Sequence, residues 1–145
     1  SIIDECETKY NIDLIFANAG IRADVNDKII NTTYKTFDIN VYGILNTILP
    51  IIPYFIKRNK GQIVINSSIS ALTPQYVFPM YSASKLALVG LSENLRTNLV
   101  DYNIGVTCIL PGFVKTDLLD NLNKNKLKLI GCTNIDDAIN NIING

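Results

Sequence analysis

Gly61-Gln-Ile-Val-Ile-Asn-Ser-Ser68 is the stretch that decides the fold. Its Ile63-Val64-Ile65 run has no polar alternation, so both faces of the strand it predicts must be buried, as in a parallel sheet. Two runs of the same kind flank it. Ile12 to Gly20 (IDLIFANAG) precedes it and stops at Ala-Gly. Ile104 to Leu110 (IGVTCIL) follows and is closed by Pro111-Gly112.

The segments between these strands read as helices. Asn31-Thr32-Thr33 can cap a helix reaching about Arg58. Phe37, Val41, Ile44, Leu45, Ile48, Ile52 and Phe55 recur along it at helical spacing. Pro50 and Pro53 each remove a backbone donor, so a bend or break is expected there. Gly61 is expected to stop it. A loop from Ile69 to Pro79 leads to a second helix from about Met80 to Asp101, with Leu86, Val89, Leu95 and Leu99 apolar and Asn103 ending it. Ile2 to Tyr10 reads as the end of a helix, and Asp136 to Ile143 as a short one.

Three strands joined by two helices make a β-α-β-α-β unit with parallel strands and right-handed crossovers. Both crossovers then fall on one face of the sheet. The other face lacks cover, and leaving apolar strands wet forfeits burial worth about 25 cal/mol per Å2. Cover is therefore expected from further sequence or from a partner. The chain begins with Ser1, which suggests a start inside a longer protein.

Composition narrows the chemistry. The 145 residues allow one domain, and 48% hydrophobic content suits a globular one. Formal net charge is zero, so no nucleic acid or membrane partner is expected. With no signal-peptide pattern or long apolar run, the default expectation is cytoplasmic. The chain has no histidine, which excludes a Ser-His-Asp triad and a Cys/His zinc site, and no metal is expected. Cys6, Cys108 and Cys132 are far apart and read as small buried residues. Abundant Ile and Asn read as a composition bias. Chemistry must come from Tyr, Lys, Ser, Asp or Glu.

Tyr81 and Lys85 stand four apart on the second long helix, hence on one face. A free tyrosine, with a pKa near ~10, is a poor base at neutral pH, and an ammonium beside it favours the phenolate. The bare pair does not identify a site, because chance can supply Tyr-x-x-x-Lys in a chain this rich in both. Ser68 strengthens it: it closes the middle strand, and ligands of open parallel sheets bind beyond the carboxyl ends of strands. A hydroxyl there can donate to a carbonyl oxygen as charge develops. Spacing does not choose among Ser67, Ser68 and Ser70, all of which also suit a turn.

Five segments taken together resemble the ordered motifs of the short-chain dehydrogenase/reductase family. They are ANAG at Ala17 to Gly20, DINVYG at Asp38 to Gly43, INSS at Ile65 to Ser68, YSASK at Tyr81 to Lys85, and PGFVKT at Pro111 to Thr116. The resemblance implies an α/β fold: residues 1–145 as one incomplete NAD(P)-binding domain, a partial Rossmann-like doubly wound parallel sheet with three α/β/α layers at full length. It implies NAD or NADP as cofactor and a small alcohol or carbonyl compound as substrate. Tyr81 would be the acid/base. Lys85 would lower its pKa and hold the nicotinamide ribose. Ser68, chosen over Ser67 and Ser70, would orient the substrate oxygen. Asn40 would sit at an irregularity in its helix and bind a water linking Lys85 to solvent. Asn18, Ala19 and Gly20 would lie along the adenosine side. Pro111, Gly112, Val114 and Thr116 would lie beside the nicotinamide, Val114 through its backbone and Thr116 through its hydroxyl.

The departures are also informative. Ala17 stands where the family usually has Asn. The family's opening strand and Gly-x-x-x-Gly-x-Gly loop are absent, as are the residue that separates NAD from NADP and the last strand. A fragment that binds dinucleotide poorly by itself is expected. Lys124, Lys126 and Lys128 read as a solvated face in the region of the family's substrate lid. Leu72, Tyr76, Val77 and Phe78 suggest an apolar part of the substrate. The two long helices resemble those that pair in the family's dimers, so a homo-oligomer is expected. Two rivals remain: a non-catalytic scaffold domain, and an epimerase or dehydratase sharing Tyr-x-x-x-Lys, which the Pro-Gly-x-Val-x-Thr pattern disfavours.

Overall fold

The structure, a computed structural model, describes residues 2–22, 29–73, 78–114 and 133–144. Three strands, β1 (Leu14–Ala17), β2 (Gly61–Asn66) and β3 (Ile104–Ile109), form one parallel sheet in the order β1-β2-β3. Ile15, Ile63 and Val106 lie in one register row, and Ala17, Ile65 and Cys108 in the next. Helix α1 (Ile2–Tyr10) precedes β1.

The first crossover is broken in two places. Helix α2 (Ile29–Phe37) passes into a π-helical turn at Asp38–Tyr42 and then α3 (Gly43–Ile48). The chain bends over Leu49 to Ile51 and resumes as α4 (Ile52–Arg58). Pro50 lies in the bend and Pro53 in the first turn of α4, where a missing N–H costs no helical hydrogen bond. Residues 31–33 fall inside α2, whose start at Ile29 is earlier than the expected cap. The end also differs. Asn59, not Gly61, stops the helix, in the left-handed region at φ 51°. Gly61 serves close packing instead, since a Cβ there would lie 2.2 Å from the Phe55 ring.

Along this path Ile44, Ile48, Ile51 and Phe55 are fully buried against the inward strand residues Ile15, Ala17, Ile63, Ile65, Ile104 and Val106. The path from Thr32 to Arg58 is long and apolar enough to cross a bilayer on length and composition alone. Its apolar stripe packs on the sheet, which makes it a core helix.

The second crossover is α5 (Pro79–Leu99), finished by a 3-10 turn at Val100–Tyr102. Its inward face is Ser84, Lys85, Leu88, Ser92 and Leu99, whereas Leu86 is exposed. The expected stripe through Leu86 is thus rotated. Small serines at 84 and 92, one bonded back to the Tyr81 carbonyl and the other to that of Leu88, let the helix sit close to the sheet. All these helices join one core on one face. On the opposite face Leu14 and Phe16 are exposed, and Gln62 bridges to Thr107 at 2.9 Å. Among the described residues, the expected bare face is present. Helix α6 (Ile135–Asn144), capped by Asn134 at 2.8 Å, follows a parallel bridge between Val114 and Thr133.

Candidate active site

The polar residues singled out in the sequence gather at the C-terminal ends of the strands. Two main-chain bonds hold that end together: Ser67 N–H to Ile109 O and Ile69 N–H to Pro111 O, both 2.9 Å. Asn66 Nδ2 donates to Asn18 Oδ1 at 2.6 Å, tying β2 to the segment after β1.

The three serines separate by what they touch. The Ser67 hydroxyl is used structurally, donating to the Lys85 carbonyl at 2.7 Å. Ser70 is buried, and its N–H donates to Ser68 Oγ at 3.2 Å. Ser68, at the start of the 3-10 turn Ile69–Ala71, is the serine whose hydroxyl acts on Tyr81, favouring its charged form.

Asn40 is fully buried in the π turn. Its Oδ1 accepts from Ile21 N–H at 2.7 Å, and its Nδ2 donates to Ile21 O at 2.9 Å and to Ser84 Oγ at 3.0 Å. The helix irregularity expected at this position is present. The side-chain amide takes these partners from protein because the segment after β1 lies within reach. Wide turns of this kind interrupt i→i+4 bonding and recur at functional sites.

Lys85 is 3% exposed, and its Nζ donates to Asn66 O at 2.8 Å. Burial pulls its pKa down to about 8, against a smaller upward pull from Cys108. Gly20 lies directly against it: a Cβ there would be 3.2 Å from Nζ and 3.5 Å from Asn40 Oδ1. Gly20 thus stands beside the Lys85 ammonium.

For Tyr81 the direction differs from the expectation. Burial raises its pKa above the ordinary value, and this outweighs the hydrogen bond from Ser68 and the positive charge of Arg22, which both lower it. The Lys85 ammonium stands 5.8 Å from the Tyr81 ring centre and is turned to Asn66 O. Arg22 is the residue that sequence reasoning missed. It follows the ANAG-Ile segment, 59 positions before Tyr81, and only the β1-β2 crossover brings the two together. Its guanidinium stacks on Phe78 at 4.3 Å.

Of the remaining candidates, Pro111 joins the site through its carbonyl, and Gly112 has open space where a Cβ would stand. Val114 is half-buried, and its bridge to Thr133 is made through the Phe113 carbonyl at 2.9 Å. Thr116, Tyr76, Val77 and the lysines at 124, 126 and 128 lie outside the described residues.

A half-buried tyrosine beside the buried Ser68, with a buried lysine one helical turn on, at the carboxyl ends of a parallel sheet, can move a proton at a carbonyl oxygen. The family model of the short chain dehydrogenases matches residues 2–127, and the chain belongs to that family. It is 37% identical over 111 residues to the human dehydrogenase/reductase SDR family member 4, covering 72% of this chain and 39% of that protein. Among solved structures it is similar to a 3-oxoacyl-[acyl-carrier protein] reductase from Brucella melitensis with bound NAD. That match has TM-score 0.78 and 26% identity, over 91% of this chain and 53% of the other. A gluconate 5-dehydrogenase from Burkholderia cenocepacia, in complex with NADP and tartrate, matches with TM-score 0.76 and 25% identity, over 83% and 48%. The chain thus spans about half or less of the length of these relatives.

Proposed function

We propose that the full-length protein is an NAD(P)-dependent oxidoreductase that interconverts an alcohol and a carbonyl compound, with Tyr81 as acid/base. The observation that carries this is the half-buried Tyr81 hydroxyl beside Ser68 at the carboxyl ends of the strands. Burial keeps Tyr81 protonated at neutral pH, so it is set to donate a proton to a carbonyl oxygen during reduction. Ser68 then donates to the same oxygen as negative charge develops on it. Lys85 holds the phenolate left behind, and Asn40 keeps the segment after β1 against α5.

Three features support a nicotinamide dinucleotide beside this group. Lys85 donates one hydrogen bond to protein and has further donors for ribose hydroxyls. Gly20 leaves the space next to it clear. Asn66 Oδ1 is buried without a donor, an acceptor waiting for a ligand group. When bound, the nicotinamide supplies or accepts the hydride. The exposed Tyr42, Leu49 and Leu86 on the two crossovers favour self-association through these helices.

The test is Tyr81→Phe in the full-length protein. Carbonyl reduction falls by roughly a hundredfold or more, while cofactor binding, read by nicotinamide fluorescence, persists. Undiminished turnover would remove Tyr81 from the chemistry.

A further inference from the structure

We propose that Arg22 is a positioning residue for the same reaction, a permanent cation that stabilises the charged form of Tyr81 from the β1 side, independently of Lys85. This rests on Tyr81 being the acid/base.

The placement of Arg22 is built by its neighbours. Asn40 grips both the N–H and the C=O of Ile21, at 2.7 and 2.9 Å, so the chain leaves the clamp in a fixed direction at the next residue. The guanidinium then packs on Phe78, the last residue before α5 and three before Tyr81. Among the described residues no carboxylate pairs with it. A half-buried cation with no counter-anion among the described residues lacks the partner that would offset its desolvation there. The Phe78 face offsets part of that cost, and the Tyr81 phenolate, once formed, offsets more.

Lys85 is a less constant source of charge. Its ammonium loses its proton at about pH 8 and is held to Asn66 O, whereas a guanidinium does not titrate in that range. The groups facing Tyr81 are few. Ser68 comes from the end of β2, Arg22 from the segment after β1, and Lys85 from the same helix, itself influenced by Cys108 on β3. Asn40 is neutral, and no carboxylate among the described residues acts on Tyr81.

The experiment is a titration of the full-length protein labelled with [13Cζ]tyrosine, the Tyr81 resonance being assigned by its loss in Y81F. Arg22→Gln moves the Tyr81 midpoint upward, and Arg22→Lys, which restores the charge, leaves it near wild type. The acidic limb of the kcat/KM profile for alcohol oxidation, where Tyr81 must have lost its proton, moves in the same direction, with about tenfold loss at neutral pH. A folded R22Q protein with an unmoved midpoint overturns the proposal, as does R22K behaving like R22Q. Where R22Q does not fold, Phe78→Leu takes its place: loosening the stack raises the midpoint, and an unchanged midpoint counts against Arg22. The titration needs no turnover, so an active Y81F enzyme would sink the acid/base assignment without deciding the coupling of Arg22 to Tyr81.

Discussion

At the N-terminal ends of the strands a buried carboxylate meets a guanidinium. At the C-terminal ends a buried ammonium and a half-buried guanidinium stand with no carboxylate beside them among the described residues. The first end is closed. Glu7 of α1 pairs with Arg58 at the end of α4, accepts from Ile12 N–H at 2.8 Å, and Arg58 also donates to Ile12 O. One ion pair thereby joins α1, the entry to β1 and α4, and Arg58 lies over Phe55 besides. The second end is left open. The burial of Lys85 and Arg22 is offset by packing elsewhere; Arg22 acts on Tyr81, and Lys85 is turned to Asn66 O. Paired buried charge fastens the fold, and charge with no carboxylate beside it among the described residues suits the ligand that the proposed reaction requires.

The largest effect comes from breaking the closed end. Glu7→Ala leaves Arg58 without its partner and Ile12 N–H without its acceptor, and costs about 3 kcal/mol of stability. That is the low end for a buried pair, because the Arg58 side chain is 25% exposed. A urea unfolding curve measures it. The specific activity of the remaining folded protein stays at the wild-type level. Loss of activity without loss of stability would mean that the two ends are not separate.

The open end responds with the opposite sign. Lys85→Met removes activity and raises stability at neutral pH. The folded pKa of Lys85 is about 8 against 10.5 unfolded, so between those values the unfolded chain holds a proton that the folded chain has released. Wild-type stability therefore rises with pH through that window. The variant's advantage is full below pH 8, shrinks through that window, and above 10.5 becomes a deficit of about 1 kcal/mol, the lost bond to Asn66 O. The shift corresponds to about 3 kcal/mol, and losing the bond to Asn66 O returns about 1 kcal/mol, leaving about 2. Thermal unfolding at about pH 7 and about pH 10.5 checks both the sign and its reversal.

How much of this is legible in the sequence follows the same division. The strands announce themselves by apolar runs, and the prolines mark the break between α3 and α4. Tyr81, Lys85 and Ser68 are readable because a helical turn and a strand end place them, and the family motifs order them. Asn40 is readable only through the resemblance, since nothing in Asp38-Ile-Asn-Val-Tyr42 by itself writes a π turn. Glu7 with Arg58, and Arg22 with Tyr81, are not readable: they are 51 and 59 residues apart, and pairing at that range depends on the packed crossovers. The direction of the Tyr81 shift is hidden as well, because burial outweighs the charges near it. The inward face of α5 escapes a reading by periodicity since Ser84 and Ser92 look like surface residues until their hydroxyls are seen bonded within the helix.

The smallest effect concerns the turns that enter the strands, and it refines the contrast. Asn11, Asn59 and Asn103 each stand between a helical segment and the following strand, and they are the non-glycine residues with positive φ among those described, at 50°, 51° and 53°. The left-handed conformation costs most L-residues roughly 1–2 kcal/mol, asparagine less and glycine nothing. Asparagines that composition alone reads as a bias thus do a repeated job at the closed end, where Asn103 Nδ2 also reaches Asn59 O at 3.3 Å. The described turns at the open end carry no such residue. Asn59→Ala is expected to lower stability by about 1 kcal/mol, and Asn59→Gly to leave it within about 0.5 kcal/mol of wild type, with activity unchanged in both. Equal destabilisation by Ala and Gly, read from denaturant midpoints, would move the contribution from backbone conformation to the Asn59 side chain. It would also remove the distinction between strand-entry turns built for conformation and strand-exit turns built for chemistry.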